Sequence, residues 1–180
     1  MMKILIDTCV LYPTVMREMV LQTACAGAFT PLWSARILEE WARAARKLGP
    51  DGEMQARSEI ALVQRDFPAA CVTVPEGLRA RLWLPDENDI HVLAAAVASS
   101  ADAILTLNAK DFPRATLAEE GVQRLDPDRF LYDLWLKDPA VVEAAGKRVL
   151  DTARALSETD WTIRALLKKA RLPKTAKALS

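Results

Sequence analysis

The sequence predicts an α/β fold with a mainly parallel central sheet, followed by a helical C-terminal segment. Two observations support this prediction. Short apolar runs alternate with helical patterns up to about residue 125, which is typical of parallel strands connected by helices. The last 45 or so residues contain helical patterns only. A chain of 180 residues is long enough for one domain with a small appendage.

Four short apolar runs are candidate strands, and a fifth segment, residues 29–33, is expected to be extended. The run at residues 103–107 is the most distinctive, because a continuous apolar run flanked by polar residues is typical of a strand buried on both faces. Asp7 directly follows the first candidate strand, and Asp111 lies just beyond the run at 103–107. The other candidates are residues 3–6, 71–74 and 122–125.

Helices are predicted between these segments from apolar spacing and from capping residues. Ser34 is a good N-cap for the helix that ends at Gly49 and Pro50. Asp160 is expected to cap a last helix that runs toward Leu172. An amphipathic stripe follows Asp86 and Asp89, formed by Ile90, Leu93, Ala94 and Val97. The remaining predicted helices cover residues 13–27, 51–66, 116–120, 126–135 and 138–156.

Composition excludes several classes of protein. Lysine and arginine balance aspartate and glutamate at 24 each, so the formal net charge is zero. The cysteines Cys9, Cys25 and Cys71 are too few and too widely spaced for a disulfide framework or a zinc site. No apolar run is long enough for a signal peptide or a membrane span, so we expect a cytoplasmic protein.

Basic residues are concentrated toward the C-terminal end. Residues 141–180 contain nine lysines and arginines against four acids, whereas the preceding 140 residues contain fifteen against twenty. We favour a solvated helical face, with contact to a polyanion as the alternative. The tryptophans do not cluster with basic residues along the sequence, and we interpret them as core or interface residues: Trp33, Trp41, Trp83, Trp135 and Trp161.

Acidic residues occur where parallel α/β sheets carry their chemistry, beyond strand ends and at helix starts. Each has a simple structural explanation when it is taken alone. Asp86 and Asp89 resemble a capping box, and Asp111 could cap the helix that follows Pro113. The sheet nevertheless places the whole set at one edge: Asp7, Glu39 or Glu40, Asp86, Asp89 and Asp111.

Grouped carboxylates repel one another unless a cation compensates them. The repulsion is about 1 kcal/mol per pair at 4 Å in water and about 4 kcal/mol at an effective dielectric of 20. Carboxylate oxygens are ligands that suit Mg²⁺ or Mn²⁺. Such a site is suited to metal-assisted hydrolysis of a phosphodiester.

Other catalytic classes have less support. His91 is the only histidine, and a single histidine cannot build a zinc site. The sequence contains neither the glycine-rich dinucleotide or P-loop motifs nor the G-x-S-x-G motif of serine hydrolases. Metal-assisted phosphodiester hydrolysis is therefore the favoured reaction.

Four short motifs, in order, carry a resemblance to a known family: ILIDT, SARILEEW, PDENDIHVLAAA and TLNAKDF. They span residues 3–113, and the pattern continues to about residue 130. The chain resembles the PIN domain, the metal-dependent ribonuclease fold found in VapC-type toxins. The resemblance implies a three-layer α/β/α domain over residues 1–133 and a helical C-terminal extension over residues 134–180.

The resemblance also implies a set of site residues. Asp7 would be the first metal ligand, Asp89 the central one and Asp111 a further ligand. Glu40 is favoured over Glu39 because the family's glutamate usually precedes a large apolar residue. Asn108 stands near where many relatives carry aspartate, so either it or Asp111 completes the site. The matching residues are Asp7, Glu40, Asp89, Asn108 and Asp111, together with the strand-end Thr106.

These matches imply a Mg²⁺- or Mn²⁺-dependent endoribonuclease that cleaves RNA to a 5′-phosphate product. They further imply the toxin of a toxin–antitoxin pair, a small antitoxin that inserts into the acidic groove, and a homodimer. A non-catalytic PIN-like scaffold that binds RNA or protein stays open, although nearly every acid is retained. A receiver domain would need a phosphoacceptor aspartate after the third strand, and none follows residues 72–74.

Overall fold

The structure is a computed structural model that describes residues 1–180. Five short strands form one sheet: β1 Lys3–Ile6, β2 Thr30–Ser34, β3 Cys71–Val72, β4 Ala103–Leu105 and β5 Gln123–Leu125. Their order across the sheet is β3-β2-β1-β4-β5, so β1 lies at the centre. The registers between β1 and β2, β1 and β4, and β2 and β3 are parallel. Helices flank the sheet, which confirms the predicted α/β fold.

Eleven helices connect or follow the strands. They are α1 Thr8–Leu11, α2 Thr14–Cys25, α3 Ala35–Ala44, α4 Gly52–Asp66, α5 Leu78–Arg81, α6 Ile90–Ala98, α7 Arg114–Glu119, α8 Pro127–Lys137, α9 Pro139–Leu156, α10 Ile163–Lys169 and α11 Pro173–Ala178. None of them combines the length and the apolar composition that crossing a bilayer requires.

Capping residues explain several helix starts. The Ser34 hydroxyl accepts a hydrogen bond from the Ile37 amide at 3.2 Å, as predicted for the start of α3. The Asp126 carboxylate accepts from the Arg129 amide at 3.0 Å, and Pro127 occupies the first turn of α8, where its missing N–H costs nothing. These local signals fix where both helices begin.

The prediction of one last helix capped by Asp160 is wrong. Thr162 is extended and caps α10 by accepting from the Ala165 amide at 3.1 Å. Arg171 then adopts a left-handed conformation with φ 67°, which ends that helix. Pro173 begins α11. The tail thus forms two short helices where the sequence indicated one.

The chain divides into two compact units. The first consists of Met1–Tyr12 and Thr30–Arg124 and contains the sheet. The side chains of β1 and β4 form the centre of its core, and almost all of them are fully buried. Trp33 and Trp41 are buried there as well, as predicted.

The second unit consists of Pro13–Phe29 and Leu125–Ser180 and is helical. Helix α2 packs there against α8, α9 and α10. Phe29 and Phe130 meet edge to face at 5.2 Å between ring centroids. Each unit thus combines two segments that are separate in sequence. The predicted division into a domain of residues 1–133 and an extension of residues 134–180 stays a prediction.

Three tryptophans lie outside the cores. Trp83 is 64% exposed. Trp161 lies under the Lys169 ammonium, which is 5.2 Å from its ring centroid. Trp135 lines a surface cavity with Lys174. Folding thus places Trp135 and Trp161 beside lysines, although the tryptophans do not cluster with basic residues along the sequence.

Candidate functional site

Polar side chains meet in the first unit beyond the carboxyl ends of β1 and β4. Asp7 follows β1, and its backbone amide donates to the Leu105 carbonyl at 3.0 Å, which continues the pairing of the two strands by one step. Thr106 follows β4, and its hydroxyl donates to the Asp7 carboxylate at 2.8 Å. The first polar residues after two neighbouring strands, Asp7 and Thr106, therefore lie together at one edge of the sheet, as expected when the strands are parallel.

Three carboxylates converge at this edge. Asp86, Asp89 and Asp111 each offer one oxygen, and these oxygens lie within 4.8 Å of one another. Asp86 also accepts from the Asn88 amide at 2.9 Å, so its predicted capping role is confirmed while it belongs to the acidic group. Asp89 ends the short 3₁₀ turn that leads into α6 and makes no capping bond. The Asp89 carboxylate therefore does not serve as a helix cap.

The acids interact electrostatically as one group. Burial raises the pKa of Asp89 to about 6, and the negative charges of Asp7, Asp86 and Asp111 add to the increase. Burial also raises the pKa of Asp7, while hydrogen bonds from Thr106, Cys9 and the Thr8 amide act in the opposite direction. Asp7 thus influences Asp89 although it lies outside the set of three converging oxygens.

Asp89 leads to a prediction about pH and stability without a divalent cation. The pKa of Asp89 is higher in the folded state, about 6, than its usual 3.8. Protonation of Asp89 therefore stabilises the fold fully below pH 3.8, and this contribution is lost as the pH rises through about 6. We expect Asp89→Asn to be more stable than wild type by about 1 to 2 kcal/mol near neutral pH in EDTA, a figure discounted because the side chain is partly exposed. Urea unfolding at acidic and neutral pH measures the difference.

The matched control is Asp51→Asn, which removes an exposed carboxylate at the start of α4. This variant should keep the wild-type loss of stability between acidic and neutral pH. Identical pH profiles for wild type and Asp89→Asn would contradict the prediction.

Asn108 and Asp111 form a closed turn beyond β4. The Asn108 side-chain amide donates to the Asp111 carboxylate at 2.9 Å, and the Asp111 backbone amide donates back to the Asn108 side-chain oxygen at 3.3 Å. The Asn108 backbone amide donates to the Thr106 hydroxyl at 3.0 Å. Pro113, and not Asp111, precedes α7. The turn therefore orients Asp111 toward the acidic group rather than toward a helix start.

The two glutamates of α3 have different surroundings. Glu40 is 2.6 Å from the His91 Nε2 atom and accepts from the Thr8 hydroxyl at 3.1 Å. Burial acts to raise the pKa of Glu40, but its hydrogen bond and charge interaction with His91 leave the pKa below its usual value. Glu39 instead binds the exposed Arg57 and Arg43, and the Arg57 bonds hold its pKa at about 2.

Thr8 connects Glu40 with the strand-end acid. Its backbone amide donates to the Asp7 carboxylate at 2.8 Å while its hydroxyl donates to Glu40. Cys9 lies on the other side of Asp7, with its sulfur 3.4 Å from the carboxylate. Burial raises the pKa of Cys9 to about 12, which favours the neutral thiol at pH 7.

Sequence reasoning missed two features of this site. The sequence predicts Asp86 at this edge and as a cap but not as a metal ligand, and it joins the group of carboxylates that could hold an ion. His91 was part of a motif without a role, and it is the partner of Glu40. The spacing of Asp86 three residues before Asp89 was a usable signal, since that spacing places both at the same helix start. No local signal pointed from His91 to α3.

The chemistry of the donor set fits a hard divalent cation. Three carboxylate oxygens within 4.8 Å of one another provide the ligand type that Mg²⁺ and Mn²⁺ prefer. Burial, followed by the neighbouring negative charges, raises the pKa of Asp89, and a bound cation would favour its charged form. The geometry can therefore support metal-assisted chemistry.

A cavity of about 860 Å³ adjoins the site. It lies beyond the carboxyl ends of β2 and β3, and His91 and Ile90 at the start of α6 form part of its wall. Arg36 and Arg79 line it together with apolar residues of the segment after β3. Glu76 and Glu87 line it too, so its wall carries charges of both signs.

Comparison with known proteins agrees with this geometry. A family model described as PIN domain matches residues 3–110, which is three-fifths of the chain and includes Asp7, Asp89 and Asn108. Neither the search of curated proteins nor that of solved structures finds a match. The match covers β1 to the turn beyond β4, the part of the fold that positions the acids. The chain belongs to the PIN domain family.

Proposed function

We propose that this chain is a Mg²⁺- or Mn²⁺-dependent endoribonuclease. Members of the PIN domain family are generally nucleases, and the observation that carries the proposal is the convergence of Asp86, Asp89 and Asp111 beyond the sheet. Three carboxylates grouped without a cation are electrostatically unfavourable, so the arrangement is best explained by the binding of one.

Asp7, Asp89 and Asp111 are the proposed ligands, and the structure adds Asp86 as a fourth candidate. Asp89 is the proposed central ligand, because it belongs to the converging group and its carboxylate makes no capping bond. A bound Mg²⁺ or Mn²⁺ supplies activation of a water molecule and compensation of negative charge on the phosphate. The carboxylates fix where that chemistry takes place relative to the RNA backbone.

The other site residues act mainly by positioning. Thr106 holds one Asp7 oxygen and Asn108 holds one Asp111 oxygen, so each ligand keeps a single orientation. Glu40, tied to His91 and Thr8, is the proposed acid that helps to orient the attacking water. In-line attack of water on phosphorus, with cleavage of the bond to the 3′-oxygen, would give one product with a 3′-hydroxyl and one with a 5′-phosphate.

RNA would approach across the cavity beside the acids. Arg36 lies both in the wall of that cavity and 3.6 Å from Glu40, where it can bind the phosphate next to the cleaved bond. Lys110 is exposed in the turn between Asn108 and Asp111 and can contact a further phosphate. Arg43 is engaged by Glu39 and would contribute only to the general field.

The direct test is cleavage of labelled total RNA and tRNA by the purified full chain. We expect cuts with Mg²⁺ or Mn²⁺, none with EDTA, and products that carry a 5′-phosphate. Absence of cleavage with either ion, combined with retained RNA binding, would favour the PIN-like scaffold.

Thr106→Val tests the positioning role. The isosteric change removes the hydroxyl that donates to Asp7 while keeping the buried volume, and we expect a loss of about 10- to 100-fold in cleavage rate. The measurement is the cleavage rate at saturating Mg²⁺ and its dependence on Mg²⁺ concentration. Thr23→Val, which removes an equally buried hydroxyl from α2 in the other unit, should cleave at the wild-type rate.

We further propose that the protein is a toxin of a toxin–antitoxin pair in the cytoplasm, with residues 1–133 as the nuclease domain and 134–180 as an extension. A small antitoxin would insert into the acidic groove, and the active form would be a homodimer. Induced expression should arrest growth, and co-expression of the neighbouring reading frame should relieve the arrest. Growth unaffected by the active nuclease would contradict the toxin role.

A further inference from the structure

The second unit carries an aromatic pair that the nuclease site does not use. Tyr132 and Trp135 lie three residues apart on α8 and therefore on one face of the helix. Their rings stack with 5.9 Å between centroids and 27° between planes. Both are only half-buried, whereas Leu131 on the same helix is completely buried. The pair is thus a surface feature and not part of the core.

Two lysines stand beside this aromatic pair. Lys174 and Lys177 of α11, with Ala178, complete a cavity of about 460 Å³ whose other wall is Tyr132 and Trp135. Both lysine side chains are exposed. We call Tyr132, Trp135, Lys174 and Lys177 the aromatic–lysine surface.

The acids near this surface have other partners. Asp133 accepts from Arg129 at 2.8 Å on α8. Glu143 of α9 accepts from the Trp135 indole N–H at 3.4 Å, which orients the ring. Asp133 is thus paired with Arg129, whereas Glu143 keeps its negative charge beside the Trp135 ring, and neither carboxylate forms an ion pair with Lys174 or Lys177.

The surface is held in shape by a buried carboxylate. Asp128 of α8 accepts from the backbone amides of Lys174 and Thr175, both at 2.9 Å, and from the Thr175 hydroxyl at 2.9 Å. These bonds fix the first turn of α11 against α8, so the lysines and the aromatic rings keep their spacing. A preformed site avoids much of the ordering cost of binding.

The surrounding charge favours a polyanion. Residues 161–180 contain six lysines and arginines and no acid. In the same segment, the Lys169 ammonium lies 5.2 Å from the centroid of the Trp161 ring. The last two helices therefore form the basic end of the second unit.

We propose that the aromatic–lysine surface binds single-stranded nucleic acid, with one base against the aromatic pair and adjacent phosphates at Lys174 and Lys177. Base stacking on aromatic rings together with lysine–phosphate contacts is the combination by which single strands are bound without sequence preference. A cavity of about 460 Å³ is of the size of small-ligand sites. Only the choice of RNA as the first probe rests on the proposed nuclease function.

The test is fluorescence anisotropy of a labelled short oligouridylate titrated with the full chain in EDTA, so that cleavage cannot interfere. Trp135→Ala should weaken binding about 5- to 100-fold, whereas Trp135→Phe, which keeps a stacking face, should retain most of it. Lys174→Ala/Lys177→Ala should lower the slope of log affinity against log salt by about 1.4, since each single-strand phosphate contact contributes about 0.7.

Trp83→Ala is the matched aromatic control, because Trp83 is exposed and lies in the other unit. It should bind like wild type. The same titration with an oligodeoxyuridylate shows whether affinity depends on the 2′-hydroxyl of the sugar. A duplex of the same length should bind more weakly, because its paired bases cannot stack on the aromatic rings. Unchanged affinity and salt slope in both the tryptophan and the lysine variants, or equal affinity for duplex, would overturn the proposal. Binding that depends on this surface in a chain without nuclease activity would support it while refuting the proposed function.

Discussion

Asp89→Asn is expected to reduce metal-dependent RNA cleavage by about 10²- to 10³-fold, equivalent to about 3 to 4 kcal/mol of transition-state stabilisation. Asp89 is the carboxylate on which Asp7, Asp86 and Asp111 all act, so its loss removes the centre of the proposed ligand set. The amide has almost the same shape as the carboxylate but lacks the charge that a divalent cation requires. Single-turnover cleavage of labelled RNA, together with calorimetric Mn²⁺ binding, measures both consequences.

Glu39→Gln is the matched control for this experiment. It makes the same chemical change on α3, at a carboxylate that binds Arg57 and Arg43 away from the acidic group. Its cleavage rate and Mn²⁺ affinity should equal those of wild type, and Glu40→Gln should lose activity. Wild-type cleavage by Asp89→Asn would refute the acidic group as the nuclease site.

Asp128→Ala is expected to lower the free energy of unfolding of the second unit by about 3 kcal/mol or more. The substitution leaves the Lys174 and Thr175 amides and the Thr175 hydroxyl without their acceptor, in a region where Thr175 is completely buried. Each buried donor left unsatisfied costs about 1 to 3 kcal/mol. Chemical denaturation measures the total, and hydrogen exchange of the α11 amides shows where the loss occurs.

Asp133→Ala is the control for that measurement. Asp133 lies on the same helix and pairs with Arg129 in solvent, and exposed i,i+4 pairs contribute only about 0.3 to 0.5 kcal/mol. Equal stabilities of the two variants would show that Asp128 does not hold α11 in place. Asp128→Asn should lie between them, because its oxygen can still accept from Thr175 while its amide faces a donor.

The fold was largely predictable because its signals are local. The apolar strand segments, the Ser34 cap and the Asp126–Pro127 start of α8 depend on a few consecutive residues, and all appear in the structure. The convergence of Asp89 with Asp111 followed from the rule that parallel strands end at one edge. The predicted metal and RNA roles of these residues stay predictions.

What the sequence could not reveal depends on packing between distant segments. The contact of Glu40 with His91 requires α3 and the start of α6 to meet, and no pattern within either helix indicates it. The division between Glu39 and Glu40 likewise depends on where Arg57 of α4 lies. Trp135 and Lys174 are 39 positions apart in sequence, so only the packing of α8 and α11 brings them together.

The membership of α2 in the second unit has a consequence for synthesis on the ribosome. Met16, Met19 and Val20 of α2 are completely buried, and the helices that cover α2 in its unit begin only at Pro127. During translation, the whole sheet segment is therefore synthesised before α8, and until then the apolar face of α2 lacks the helices that cover it. The second unit can therefore close only after its late helices α8 to α11 have been made, so it is expected to fold after the sheet segment has been synthesised.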